Sequence, residues 1–190
     1  MKKTIRRNYK IVKYVMYRQT LLKPVDHIWT FIGGFIGIAL IGLVQTHLNH
    51  IPSVDHLFLI GSFGASAVLI YGVTNSPLAQ PRNLIGGHVV SAFVGVSVCK
   101  AVGFLTLDPS LLWMPAALAV SLAIVSMQMT KTLHPPGGAT ALIANIGSEK
   151  IKSLGYLYVL TPVLSGVLIM FAVAMIVNNI PKDRSYPSKR

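Results

Sequence analysis

Between Asp26 and Asp183 the charges are widely spaced, and the neutral stretches between them are long and apolar. Several reach the ~20 residues that a helix needs to cross a hydrocarbon core. Inside lipid every backbone N–H and C=O must find an internal partner, which restricts such a chain to spanning helices. The composition agrees: of 190 residues, 53% are hydrophobic and only 12% charged. Soluble domains carry roughly a quarter charged residues. The expected fold is therefore all-α, a polytopic helical membrane protein.

The net charge of +12 would fit a nucleic-acid partner, but its placement points elsewhere. Eight of the 17 Lys and Arg residues lie in residues 1–23, without an acid among them, and four more lie in the last nine residues. Basic ends that flank apolar spans belong on the cytoplasmic face. Both termini are thus expected in the cytoplasm, with the protein in the cell membrane and no nucleic-acid partner. In residues 1–23, Ile5, Tyr9, Val12, Val15, Met16 and Leu22 alternate with basic residues at near-helical spacing. An amphipathic segment lying on anionic lipid is the natural reading, rather than a secretory signal peptide. Residues 182–190 form a basic cytoplasmic tail, and residues 24–181 the membrane domain.

Four long spans are expected, at about residues 28–47, 84–105, 111–129 and 154–178. Gly33, Gly34, Gly37 and Gly42 give the first a small-residue face for close helix contact. Two shorter apolar segments lie between the spans. The first, "GSFGASAVL" (Gly61–Leu69), and the second, "HPPGGATAL" (His134–Leu142), share an ungapped Gly-Ala-Ser/Thr-Ala run, Gly64–Ala67 against Gly138–Ala141. The chain thus reads as two internal repeats, each a long span, a short broken helix and a long span. Interrupted segments at matching places in two halves are the best sequence pointer to a transporter's binding site. If both short segments cross, the halves are inverted; if both re-enter, they are parallel. Inverted halves are favoured.

Pro135 and Pro136 have no backbone N–H and cannot continue a preceding helix, while Gly137 and Gly138 let another backbone or a solute approach closely. A new short helix is expected to open near Gly138, as another is near Gly64, with its first N–H groups aimed at a common polar cavity. Such an end favours a small anion. Ser62, Ser66 and Thr140 add hydroxyls to the expected substrate pathway, and His134 and Asn83 its polar rim. Small residues and proline kinks also serve as simple packing devices in membrane helices, which is the competing explanation.

Three separated motifs carry a resemblance: His134–Leu142, Gly61–Leu69 and "SPLAQPRN" (Ser76–Asn83). Together they resemble the HPP family of integral membrane proteins, named for the motif that stands here as His134-Pro135-Pro136. The resemblance implies a four-helix membrane domain over about residues 24–181. It also implies transport of nitrite, to which some members are linked, as the leading candidate activity.

Arg82 is weighed equally as an anion attractor and as an interfacial anchor. His88, one turn inside the second long span, is expected to be a satisfied packing histidine, with a place on the pathway as the alternative. His134 has no Cys, Asp or second His at ligand spacing, so no metal site is expected. No cofactor and no catalytic set is expected either, since the spans contain neither a carboxylate pair nor a Ser-His-acid combination. Homo-oligomers fit spans this rich in small residues. Two rivals stand beside anion passage: transport of another small solute, and a non-transporting scaffold or sensor.

Overall fold

The computed structural model describes residues 23–48, 60–104, 108–111 and 113–188. The expected interfacial segment falls almost wholly outside these residues. The described residues form helices without strands: α1 (Pro24–Leu48), α2 (Gly61–Gly72), α3 (Pro81–Gly103), α4 (Met114–Met129), α5 (Pro135–Ile146), α6 (Glu149–Ser153) and α7 (Val159–Val177).

Two expectations about spans need correction. Among the described residues three helices, α1, α3 and α7, are long and apolar enough to cross a membrane by themselves. The expected third long span is the 16-residue α4, shortened because its chain begins with the Pro109–Leu111 turn and Pro115. The fourth is interrupted: Thr161 is extended (φ −139°, ψ 123°), and Pro162 offers no N–H to bridge the gap. The short helices also begin earlier than expected, α2 at Gly61 and α5 at Pro135. Gly64 and Gly138 are then each the fourth residue of their helix, so the two sequence runs occupy the same helical register.

The direction of each helix follows from contacts at the ends. Lys23 Nζ donates to Asp183 Oδ2 at 2.5 Å, which brings the start of α1 beside the segment after α7. Arg184 ties the same end together, donating to Asp26 O at 3.1 Å, Tyr71 O at 2.7 Å and Asn178 Oδ1 at 3.0 Å. Tyr186 is buried and donates its hydroxyl to Ala79 O at 2.6 Å. The expected basic tail is therefore packed against the bundle as far as Ser188, whose N–H reaches Gln80 Oε1 at 2.9 Å. At the other end Lys100 lies over the Tyr156 ring. Helices α1, α3 and α5 consequently run away from the Arg184 end, and α2, α4 and α7 run back.

Glycines set the tightest contacts. An added Cβ at Gly33 would lie 2.7 Å from the Tyr71 ring, and one at Gly37 would collide with the Tyr71 hydroxyl. The i, i+4 pair on α1 is thus a slot for Tyr71, whose hydroxyl continues across to Met170 O on α7 at 3.0 Å. Gly34 and Gly42, expected on the same small-residue face, have no neighbour within 4 Å of an added Cβ. Opposite effects follow. Gly37→Ala should lower the melting temperature in detergent, since overpacking costs about 1–3 kcal/mol. Gly34→Ala should hold or raise it, through the better helix propensity of alanine. Equal melting temperatures for the two variants would mean that Tyr71 does not occupy the slot.

Candidate functional site

The site grows out of a stripe of small residues on α3. Gly87, His88, Ser91 and Gly95 lie on neighbouring turns of one face and are all buried. At Gly95 an added Cβ would sit 2.7 Å from Ala141 O, and at Gly87 it would sit 2.8 Å from Thr132 O. The backbones of α3 and α5 therefore touch along this stripe, leaving His88 as the one large side chain within it. Asn145 adds a cross-link, donating to Gly95 O at 3.1 Å.

The chain reaches α5 through a sharp reversal. After α4, Lys131 takes a left-handed conformation (φ 56°). Thr132 N–H bonds Met127 O at 2.8 Å, and Lys131 N–H bonds Gln128 O at 3.1 Å. This paired closure is a Schellman ending, with lysine where glycine is usual. His134 follows in extended geometry (φ −141°, ψ 105°), as a residue before proline must, and α5 starts at Pro135. On the facing side, Gln80 Nε2 donates to Thr74 O and Ser76 O, both at 2.9 Å, holding the Pro77–Ala79 turn and with it the Leu78 carbonyl.

Four side chains from separate parts of the chain join here. Ser66 Oγ of α2 lies 2.7 Å from His88 Nε2 and 2.9 Å from His134 Nε2. His88 Nδ1 lies 2.7 Å from Thr140 Oγ1, and His134 Nδ1 lies 2.8 Å from Leu78 O. All four residues are fully buried. Ser66 and Thr140 are each the sixth residue of their short helix. The hydroxyls aligned by the sequence match thus bind opposite nitrogens of one imidazole. Phe63 closes one side, its ring edge-on to His88 at 5.8 Å. Tyr158 of the α6–α7 segment reaches Thr140 O at 3.1 Å.

Beyond this chain lie two further hydroxyls. Ser62, one turn before Ser66, and Ser91, one turn beyond His88, are fully buried, and neither Oγ has a hydrogen-bond partner. A buried hydroxyl without a partner costs about 1–3 kcal/mol, so each such group calls for an explanation.

The other expected pathway residues divide. Pro136 and Gly137 are buried beside the polar chain, and an added Cβ at Gly137 would stand 2.7 Å from Ser91 Oγ. Gly64 is exposed with open space around it, and Pro135 is exposed. Gly138 is half-buried and, with Val120, Ile124 and Leu142, lines an apolar groove rather than the polar centre. Asn83 is engaged in packing, donating to Leu133 O at 2.7 Å, and the exposed Arg82 donates to Thr130 O at 3.0 Å.

The expected common cavity at two helix N-termini is not the arrangement found. Helices α2 and α5 pass antiparallel, so their starts point to opposite faces of the membrane domain. At α5, moreover, Pro135 and Pro136 have no N–H, and Gly137 gives its own to His134 O at 2.8 Å. Side chains, not helix ends, furnish the polar groups. Among the described residues no three His, Cys, Asp or Glu side chains form a metal-binding group.

His88 is the satisfied, buried histidine that the sequence leads one to expect, and Ser91 is a buried hydroxyl that the sequence does not single out. The signal available was the Gly87–Ser91–Gly95 spacing of four, which marks one helix face.

A family model described as "HPP, transmembrane region" matches residues 19–187. Two transmembrane proteins of Dictyostelium discoideum are each 47% identical to this chain over 159 residues, 84% of its length. The match covers 49% and 54% of those proteins, so the chain spans about half the length of the curated relatives it matches. No solved structure matches it. The apolar helices, the relatives and a family match over nearly the whole chain agree, and the chain belongs to the HPP family of multi-pass transmembrane proteins.

Proposed function

We propose that the protein passes a small inorganic anion through the seam between α2, α3 and α5, with nitrite the foremost substrate. The observation that carries this reading is the placement of His88 between the matched hydroxyls Ser66 and Thr140, with the unpartnered hydroxyls of Ser62 and Ser91 one turn away. Hydroxyl and imidazole donors suit an anion, and an unpartnered buried hydroxyl is a donor in wait of an acceptor. The alternation of helix directions supports transport as well. Three helices running out, back and out, followed by three running back, out and back, fit two halves of opposite orientation around a shared site. Nitrite itself rests on the resemblance to HPP members. The chain is accordingly read as a transporter and not as an enzyme.

Purified protein in liposomes should take up nitrite faster than empty liposomes, and other small anions should compete. Uptake of a cation or a neutral solute in place of anions would favour the first rival reading. No flux of any small ion would favour a scaffold or sensor.

The end of the bundle where Lys23, Arg82, Lys131, Lys182 and Arg184 gather is proposed as cytoplasmic, by the positive-inside rule. The basic residues 1–22 would then meet anionic lipid there, and homo-oligomers would form through lipid-facing helices. Reporter tags at residues 1 and 190 should both register in the cytoplasm. Tags on opposite sides would contradict the even number of crossings.

A further inference from the structure

The four central hydrogen bonds have a forced direction. The Leu78 carbonyl only accepts, so His134 carries a proton on Nδ1. In the neutral ring Nε2 is then an acceptor, and it takes the Ser66 hydroxyl proton. With that proton engaged, Ser66 accepts from Nε2–H of His88. His88 Nδ1 is left as acceptor for the Thr140 hydroxyl. One carbonyl thus determines two tautomers and two hydroxyl orientations.

The same atoms satisfy a second arrangement that holds one more proton. When one proton is added at Thr140 Oγ1, the original Thr140 proton moves to His88 Nδ1. The Nε2 proton of His88 moves to Ser66 Oγ, and the Ser66 proton moves to His134 Nε2. Each O–H or N–H bond broken is replaced by one formed at the next atom, and the net gain is one proton. Every hydrogen bond is now reversed. His134 donates to Ser66, Ser66 to His88, and His88 to Thr140. The Thr140 hydroxyl has an acceptor ready in Pro136 O, 3.3 Å away. No ring nitrogen or hydroxyl of these four residues is orphaned in either state.

We propose that Thr140, His88, Ser66 and His134 form a one-proton binding site and relay, which stores the proton on His134 and changes the tautomer of His88. The second part of the proposal, that this proton travels with the anion, rests on the transport reading above. The four described carboxylates, Asp26, Asp108, Glu149 and Asp183, all lie at the ends of the bundle or in its connections. The groups in contact with the two rings are Ser66 and Phe63 from α2, Thr140 from α5 and the Leu78 carbonyl of the turn before α3. None of these supplies a negative charge to a His134 cation. The cations Arg82 and Lys131 stand beyond, exposed, on the α3 and α4 ends. An anion entering the seam would supply the missing counter-charge. The ring centroids of His88 and His134 are 5.0 Å apart, so repulsion keeps a second proton off.

The test is nitrogen NMR of full-length protein labelled at its histidine rings, with His27, His47, His50 and His56 replaced by Gln and assembly checked. At neutral pH, His134 should carry its proton on Nδ1 and His88 on Nε2. On acidification one proton should be taken up, and both rings should change in the same step: His134 to the cation, His88 to the Nδ1–H form. In Ser66→Ala the link is cut, and His134 should take up its proton while His88 keeps its tautomer. A wild-type His88 that holds one tautomer throughout, or two rings that each become cations at their own pH, would overturn the relay. In liposomes, an inward nitrite gradient should carry protons inward in a one-to-one ratio. Coupled tautomer change without nitrite flux would sustain the relay and remove the anion reading. Nitrite flux with no proton movement would overturn the coupling.

Discussion

Gly137→Val is expected to abolish nitrite uptake, with the loss arising at assembly. A Cβ alone would come within 2.7 Å of Ser91 Oγ, 2.9 Å of Gly87 O and 3.0 Å of Met127 Sδ. The Gly87 oxygen belongs to a helix backbone and cannot step aside, so α5 would have to separate from α3. Overpacking typically costs about 1–3 kcal/mol, and a β-branched side chain against backbone falls at or above the top of that range. The protein should elute from a sizing column as aggregate or melt many degrees lower. Gly138→Val is the control. The nearest atom to its Cβ is Val120 Cγ1 at 3.9 Å, on the wall of the apolar groove, and this variant should assemble normally. The sequence reads both Gly137 and Gly138 as points of close approach; the structure gives that role to Gly137 alone. A wild-type melting temperature for Gly137→Val would mean that α3 and α5 do not touch at this point.

The double variant Ser66→Ala, Thr140→Val should lose far more uptake than either single change. Together the two substitutions strip both partners from His88, which is fully buried. Each orphaned ring nitrogen costs about 1–3 kcal/mol, unless the ring turns or water enters. Either response moves the polar groups out of place. The single variants each keep one side of the ring anchored and should retain measurable uptake. A rise of about 1.4 kcal/mol in the passage barrier slows passage about tenfold, so the double variant should fall about tenfold to a hundredfold. Assembly is checked by elution and melting. Simple additivity of two small effects, with uptake near the wild-type rate, would show that His88 needs neither hydroxyl.

Hydrophobic length made the membrane class and the places of α1 and α3 legible, because lipid imposes one strong rule on a backbone. The matching Gly-Ala-Ser/Thr-Ala runs were legible too, and they fall in the same register of α2 and α5. What they meant was harder to read. At the Pro-Pro-Gly-Gly break the small residues read in the sequence as room for a solute, whereas Gly137 admits Ser91 and the Gly87 carbonyl; the close contact expected at Gly33 and Gly37 is the slot for Tyr71. The start of α5 lies three residues earlier than expected because proline is well suited to the first turn, so α5 opens on the prolines themselves. The interruption at Thr161–Pro162 was carried by one proline inside a long apolar run, a signal that hydropathy averages away. His88 is the satisfied histidine expected, but its partners, 22 and 52 residues away in sequence, were not legible. The packing role of the C-terminal segment was hidden for the same reason: Arg184 finds the Tyr71 carbonyl 113 positions earlier.

The central claim, that a small anion passes by the buried imidazole of His88, is tested most directly by nitrite uptake into liposomes holding His88→Leu protein. This substitution keeps an apolar volume in the α3 stripe. The two hydroxyls it releases retain partners, since Ser66 still reaches His134 Nε2 at 2.9 Å and Thr140 still reaches Pro136 O at 3.3 Å. The variant should therefore insert, elute and melt close to the wild type, while uptake falls to the rate of empty liposomes. Properly assembled His88→Leu protein that takes up nitrite at the wild-type rate would contradict the claim.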